Sequence, residues 1–180
     1  MMYNFFESSS RLPVKVKLKW RGYWELFKVP DNIEEFYENL ENRLDQIDSK
    51  ELDQSGFYML LTGKPTNERK FTLGMLLYIG QAYNQKIRDR IPQSHPAYDC
   101  IVENHSGEYL YLAVSEILQL DGMEKITQEL FDDIECCLIY KNEPLCNTDC
   151  VNEYNSKLRR EIQIINCGGY NPIKENCRCK

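Results

Sequence analysis

Residues 14 to 21 alternate strictly between two kinds of side chain. Val14, Val16, Leu18 and Trp20 hold one phase, and Lys15, Lys17, Lys19 and Arg21 hold the other. A period of two predicts a strand with one apolar and one cationic face. Arg21-Gly22 offers a turn, because glycine accepts positive φ, and Pro30 closes a second strand, so 14–29 predicts a hairpin. Next, Asp31-x-x-Glu34 reads as a capping box. Ile33, Phe36, Tyr37, Leu40, Leu44 and Ile47 follow at helical spacing to Ser49, with an acidic outer face.

From Gly56 the chain turns rich in apolar and aromatic residues and reads as sheet. Segments 56–62 and 71–79 predict strands joined by a loop at Gly63-Lys64-Pro65-Thr66-Asn67. Tyr83-Asn84 leads into a short helix that Pro92 ends, and His95-Pro96 reads as loop. A third strand covers 108–117. Asp121-x-x-Glu124 then caps a long helix with apolar positions Ile126, Leu130, Ile134 and Leu138. A helix near 150–161 and a strand from Ile162 to Asn166 complete the expected elements.

Composition narrows the class. Hydrophobic residues make up 42% of the 180, which points to a folded domain with a substantial core. No apolar run is long enough to span a bilayer, and Met1 to Glu7 carries no secretory pattern, so a cytoplasmic chain with no membrane partner is expected. The eight cysteines are accordingly read as reduced thiols. Cys146-x3-Cys150 and Cys177-x-Cys179 fit poorly with the paired CxxC of zinc ribbons, so structural zinc is not expected. A net charge of −6 argues against a nonspecific DNA-coating protein but leaves room for local basic clusters.

Two motifs and three single residues carry the candidate chemistry. Gly56-Phe57-Tyr58 precedes Tyr78-Ile79-Gly80, and Arg88, Glu135 and Asn147 follow. Strand phase puts Tyr58 and Tyr78 on one face if the two strands pair antiparallel. Glu135 has Phe131, Leu138 and Ile139 as helical neighbours. A carboxylate there is costly unless it is paired or holds a cation, whereas Asp132 and Asp133 are expected to face water. Read alone, the tyrosines are core residues with hydrogen-bonded hydroxyls, Arg88 a surface residue and Glu135 half of a buried ion pair.

In order and spacing the five elements resemble the GIY-YIG nuclease family over residues 54–147. The resemblance implies an α/β fold with a small antiparallel sheet flanked by helices. It also implies metal-dependent hydrolysis of DNA phosphodiesters. Tyr58 would be the general base and Tyr78 would orient water or phosphate. Arg88 would stabilise the phosphorane, Glu135 would hold magnesium or manganese, and Asn147 would order the site. All are expected on one concave surface, and the products would be a 5′-phosphate and a 3′-hydroxyl.

Phe57 replaces the family's isoleucine, and Pro92 stands where many members carry a histidine. His95, Lys64 and Lys70 are candidate substitutes or helpers. Lys15, Lys17, Lys19, Lys86 and Arg90 are candidate contacts to DNA backbone, although the lysine row serves equally to keep a sheet edge soluble. Residues 1–53 are expected to form an N-terminal hairpin-and-helix extension and 54–147 the nuclease core. Residues 148–180 would be a C-terminal helix-and-strand extension packed on that core. Two other readings remain open: a catalytically silent DNA-binding module, and a structure-specific repair or RNA nuclease. No feature outside the core reveals a target or an oligomeric state.

Overall fold

The computed structural model describes residues 12–65, 71–168 and 172–180. The elements run β1 (Val14–Lys28), α1 (Ile33–Gln46), a 3-10 turn (Lys50–Asp53), β2 (Gly56–Pro65) and β3 (Phe71–Ala82). They continue with α2 (Ile87–Arg90), α3 (Pro96–His105), β4 (Tyr109–Asp121), α4 (Gln128–Asn142), β5 (Ile162–Gly168) and β6 (Asn176–Cys179). The loop expected after β2 falls partly on Thr66 and Asn67, which with Lys70 lie outside the described residues.

One six-stranded sheet has the order β3-β2-β4-β1-β5-β6. All neighbours are antiparallel except β1 and β5, where Val14 pairs with Ile162 in parallel. The α/β class is therefore as expected, but the sheet is mixed and larger than the small antiparallel one anticipated. Both flanking segments supply strands to it, so the N-terminal and C-terminal extensions are continuous with the core sheet. Helix α4 packs Leu130, Ile134 and Leu138 on one face against Val14, Leu18, Phe57 and Ile79. Helices α1, α2 and α3 cover the other face with Phe36, Leu40, Ile87, Tyr98 and Ile101, over Tyr58, Leu60 and Leu112.

The predicted hairpin at 14–29 is instead one strand with a bulge. Gly22 (φ 92°) and Tyr23 (φ 56°) shift the register on β4, so Gly22 faces Ala113 and Trp24 faces Leu112. The extra residue flips the phase: Val14 to Trp20 belong to the α4-side core, and Leu26 to the opposite one. A glycine at positive φ suits a turn or a bulge equally, and the length of β4 decides between them.

Other boundaries differ for local reasons. Asn32, not Asp31, caps α1, accepting from the Glu35 amide at 2.8 Å. Helix α1 stops at Gln46 rather than Ser49. Thr127 caps α4, because β4 runs on to Asp121. His95-Pro96, expected as loop, instead begins helix α3: His95 caps it and Pro96 occupies its first turn, where a missing amide costs nothing. Residues 150–161 form no helix. Their path is set by Asp133, which is 1% exposed rather than facing water. Asp133 accepts hydrogen bonds from Ser156 Oγ and from the amides of Lys157 and Leu158.

Six cysteines are paired, contrary to the reduced state expected: Cys100–Cys146, Cys136–Cys150 and Cys137–Cys179. Cys167 and Cys177 are free. Among the described residues no helix is long and apolar enough to cross a membrane.

Candidate active site at the edge of strand β3

Strand β3 ends the sheet, and its outer edge would expose unpaired backbone groups. The segment after α4 covers them. The amides of Leu145 and Cys146 donate to the carbonyls of Leu76 and Leu77 at 3.2 and 2.8 Å. Asn147 then continues the ladder with its side chain. Its Oδ1 accepts from the Ile79 amide at 2.9 Å, and its Nδ2 donates to the Ile79 carbonyl at 3.0 Å. Beside this clasp opens a cleft of about 250 Å³ lined by Tyr78, Gln81, Arg90, His95, Glu135, Asn147 and Asp149, among others.

The tyrosines lie on one face of the sheet, as their phase predicted, with ring centroids 5.9 Å apart. Tyr78 reaches the cleft, while Tyr58 sits behind it and is 1% exposed. Burial raises the pKa of both phenols above the usual tyrosine range, and the Arg90 charge partly opposes this. Gly80 permits the packing, since a Cβ there would lie 2.5 Å from Tyr58 Cζ. Tyr58 packs against Tyr78, and the Tyr98 hydroxyl donates to the Ile91 carbonyl.

His95 meets Tyr78 at the cleft wall, its Nε2 being 3.3 Å from the Tyr78 hydroxyl. Its Nδ1 accepts from the Ala97 amide at 3.1 Å. A neutral imidazole accepting at Nδ1 carries its proton on Nε2, so His95 donates to Tyr78. Burial, and then Arg90, lower the pKa of His95, while Asp149 opposes them.

Glu135 enters from α4, on the far side of the sheet from the tyrosines, and meets them only at the β3 edge. Its pKa is raised to about 7, chiefly by burial. Asp132 and Asp149 add to the rise, and Gln81 and Arg90 oppose it. It makes none of the ion pairs found among the described residues, which disfavours the buried-pair reading. Gln81 donates to Asp132 Oδ1 at 2.7 Å, and its own Oε1 is buried with no partner among the described residues.

Arg88 does not reach the cleft. Its guanidinium donates to the carbonyl of Leu44, to that of Ile47 at 2.9 Å, and to Asp53 Oδ1 at 3.3 Å. Those carbonyls lie at the C-terminal end of α1, where the Ile47 and Ser49 amides reach them at 3.3 and 3.1 Å and a further lone pair on each is open to an arginine. Lys86 pairs with the same Asp53 at 3.6 Å. Arg90, expected to contact DNA backbone, lines the cleft instead. Two residues on one helical turn point to different sides, and the buried Ile87 and Ile91 leave both sides open to an arginine. Sequence reading also missed Gln81 and Asp149, and nothing in their spacing marked them. Lys15, Lys17 and Lys19 lie along β1, Lys15 exposed and the others half-buried, on the side away from the α4 core.

No group of three or more histidine, cysteine or acidic side chains that would cage a metal exists among the described residues. The oxygens of Glu135 and the unpartnered Gln81 Oε1 nevertheless suit a hard divalent cation that takes its remaining ligands from water and substrate. No protein-family model, curated protein or solved structure matches this chain.

Proposed function

We propose that the cleft hydrolyses phosphodiester bonds of DNA in the manner of the GIY-YIG nucleases. The observation that carries this reading is the convergence of Tyr78, Arg90, His95, Glu135 and Asn147 on one cleft from separate parts of the chain. The antiparallel trio β3-β2-β4, with Tyr58 and Tyr78 on adjoining strands, supports it further.

In this reading Arg90 takes the part expected of Arg88. Its guanidinium meets the phosphate and stabilises the charge that grows on the equatorial oxygens. The same charge lowers both phenols, which burial otherwise keeps protonated. His95 Nε2–H and the Tyr78 hydroxyl orient the attacking water. To act as the assigned base Tyr58 must first be ionised, its own proton leaving through Tyr78 to solvent; the attacking water then gives its proton to Tyr78 as Tyr78 passes its own to the Tyr58 phenolate. Asn147 fixes the β3 edge beneath the phosphate. Glu135, with Gln81 beside it, would hold magnesium or manganese, which supplies Lewis acidity toward a phosphate oxygen and the leaving 3′ oxygen.

The rival is a silent DNA-binding module, favoured by the burial of Tyr58. A structure-specific repair nuclease or an RNA nuclease would use the same cleft. The three disulfides support an oxidising setting rather than the cytoplasm. Incubation with duplex, nicked, branched and single-stranded DNA, and with RNA, in the presence of magnesium separates these readings. Cleavage lost in Arg90→Ala supports the hydrolytic one. Binding without cleavage of any substrate overturns it.

A further inference from the structure

Two disulfides tie the segment at the cleft to helices on opposite faces of the sheet. Cys100 on α3 is bonded to Cys146, and Cys136 on α4, adjacent to Glu135, is bonded to Cys150. Between Cys146 and Cys150 lie only Asn147, Thr148 and Asp149, and all three line the cleft. A continuous covalent path thus leads from the helix headed by His95, across the mouth of the cleft, to the helix that carries Glu135.

Non-covalent support fades along this segment. Leu145, Cys146 and Asn147 are hydrogen-bonded to β3. Among the described residues Thr148, Asp149 and Cys150 make no hydrogen bond, and Cys150 adopts φ 60°, in the left-handed region. Their place beside α4 therefore comes from the bond to Cys136. Cys100 and Cys150 are partly open to solvent, whereas both partners of Cys137–Cys179 are buried in the α4-side core.

We infer that Cys100–Cys146 and Cys136–Cys150 are positioning groups of the site, and that the cleft is assembled only while both are oxidised. They hold Asn147 against Ile79 and Asp149 beside Glu135 and His95. The expected effect on activity rests on the hydrolytic reading above, and the geometric claim does not. Opening each bridge takes two electrons and two protons from a dithiol, which closes to its own cyclic disulfide and leaves two protein thiols. Freed at both ends, the segment no longer presents Asn147 and Asp149 in register with the opposite wall.

The test treats the folded chain with dithiothreitol, identifies the opened bridges by alkylation and peptide mass mapping, and follows two readouts. One is hydrogen exchange of the Ile79 amide, which Asn147 Oδ1 holds. The other is cleavage of duplex DNA with magnesium. With both site bridges open, Ile79 exchange accelerates and cleavage falls about a hundredfold, as displacement of positioning groups by an ångström can cause. Far-UV circular dichroism is retained, and reoxidation restores both readouts. The paired variants Cys100→Ser with Cys146→Ser, and Cys136→Ser with Cys150→Ser, leave Cys137–Cys179 intact and decide the matter if reduction unfolds the chain. A protected Ile79 amide with undiminished cleavage while both bridges are mapped as open overturns the inference. If the oxidised protein cuts no substrate, the hydrolytic reading fails, and Ile79 exchange alone then decides the positioning role.

Discussion

Arg88 and Arg90 stand two residues apart and meet different chemistry. Arg88 satisfies the carbonyls that end α1, whereas Arg90 faces the cleft. Arg88→Ala should lower the melting temperature, at a cost of about 2 kcal/mol for losing charge-assisted hydrogen bonds. Arg90→Ala should leave the melt nearly unchanged and abolish cleavage. Parallel melts and cleavage assays check both, and a dead but fully stable Arg88→Ala would restore the original assignment. Glu135 offers a second contrast. Its folded pKa of about 7 lies above the ordinary carboxylate value, so the fold binds this proton more tightly than the unfolded chain does. That contribution is full below the unfolded pKa and is lost as pH rises through 7. Glu135→Gln should therefore gain stability relative to the parent as pH rises from 5 to 8, and should cut no DNA. Paired melts across that range measure it, and a destabilised variant that still cleaves would point to a structural carboxylate.

Among the elements, β3 is the most exacting, because its edge forms the cleft and its glycine admits two tyrosines. Gly80→Ala would place a methyl 2.5 Å from Tyr58 Cζ and 2.8 Å from Tyr78 Cε1. With the rings packed in, the chain must shift, at about 1–3 kcal/mol for overpacking. Melting together with near-ultraviolet tyrosine dichroism reports it. The strands β2, β3 and β4 were legible because each alternates or runs apolar between clear breakers, and the shared face of Tyr58 and Tyr78 followed from that phase together with antiparallel pairing of the two strands. Features set by distant partners were not legible. Gly22 allows a turn or a bulge, and only β4 alongside selects the bulge. His95-Pro96 resembles a loop until His95 Nδ1 is seen to cap α3. Ile87 and Ile91 fix the buried side of α2 but not which arginine turns toward β3. The disulfides were hidden because spacing along the chain says nothing of which thiols the fold brings together.

For the whole molecule, charge distribution matters more than net charge. The lysines of β1 are three strands from the cleft edge in the sheet order. If they contact DNA backbone, replacing Lys15, Lys17 and Lys19 with alanine should weaken binding across all sequences. The slope of log affinity against log salt should fall by up to about 2.7. Binding titrations at several salt concentrations measure this, and an unchanged slope would leave the lysines as guardians of solubility alone.

The position of β1 also has a consequence in time. It is the first strand among the described residues, yet it lies inside the sheet, with β4 on one side and β5 on the other. Its parallel partner, which pairs Ile162 with Val14, is synthesised 148 residues later. On the ribosome β1 must therefore wait with both flanks unpaired, first for β4 and then for β5. Such long-range closure is slow and exposes strand edges meanwhile. Nascent chains released before residue 162 should be protease-sensitive and prone to self-association, and chains extended through β6 should resist both.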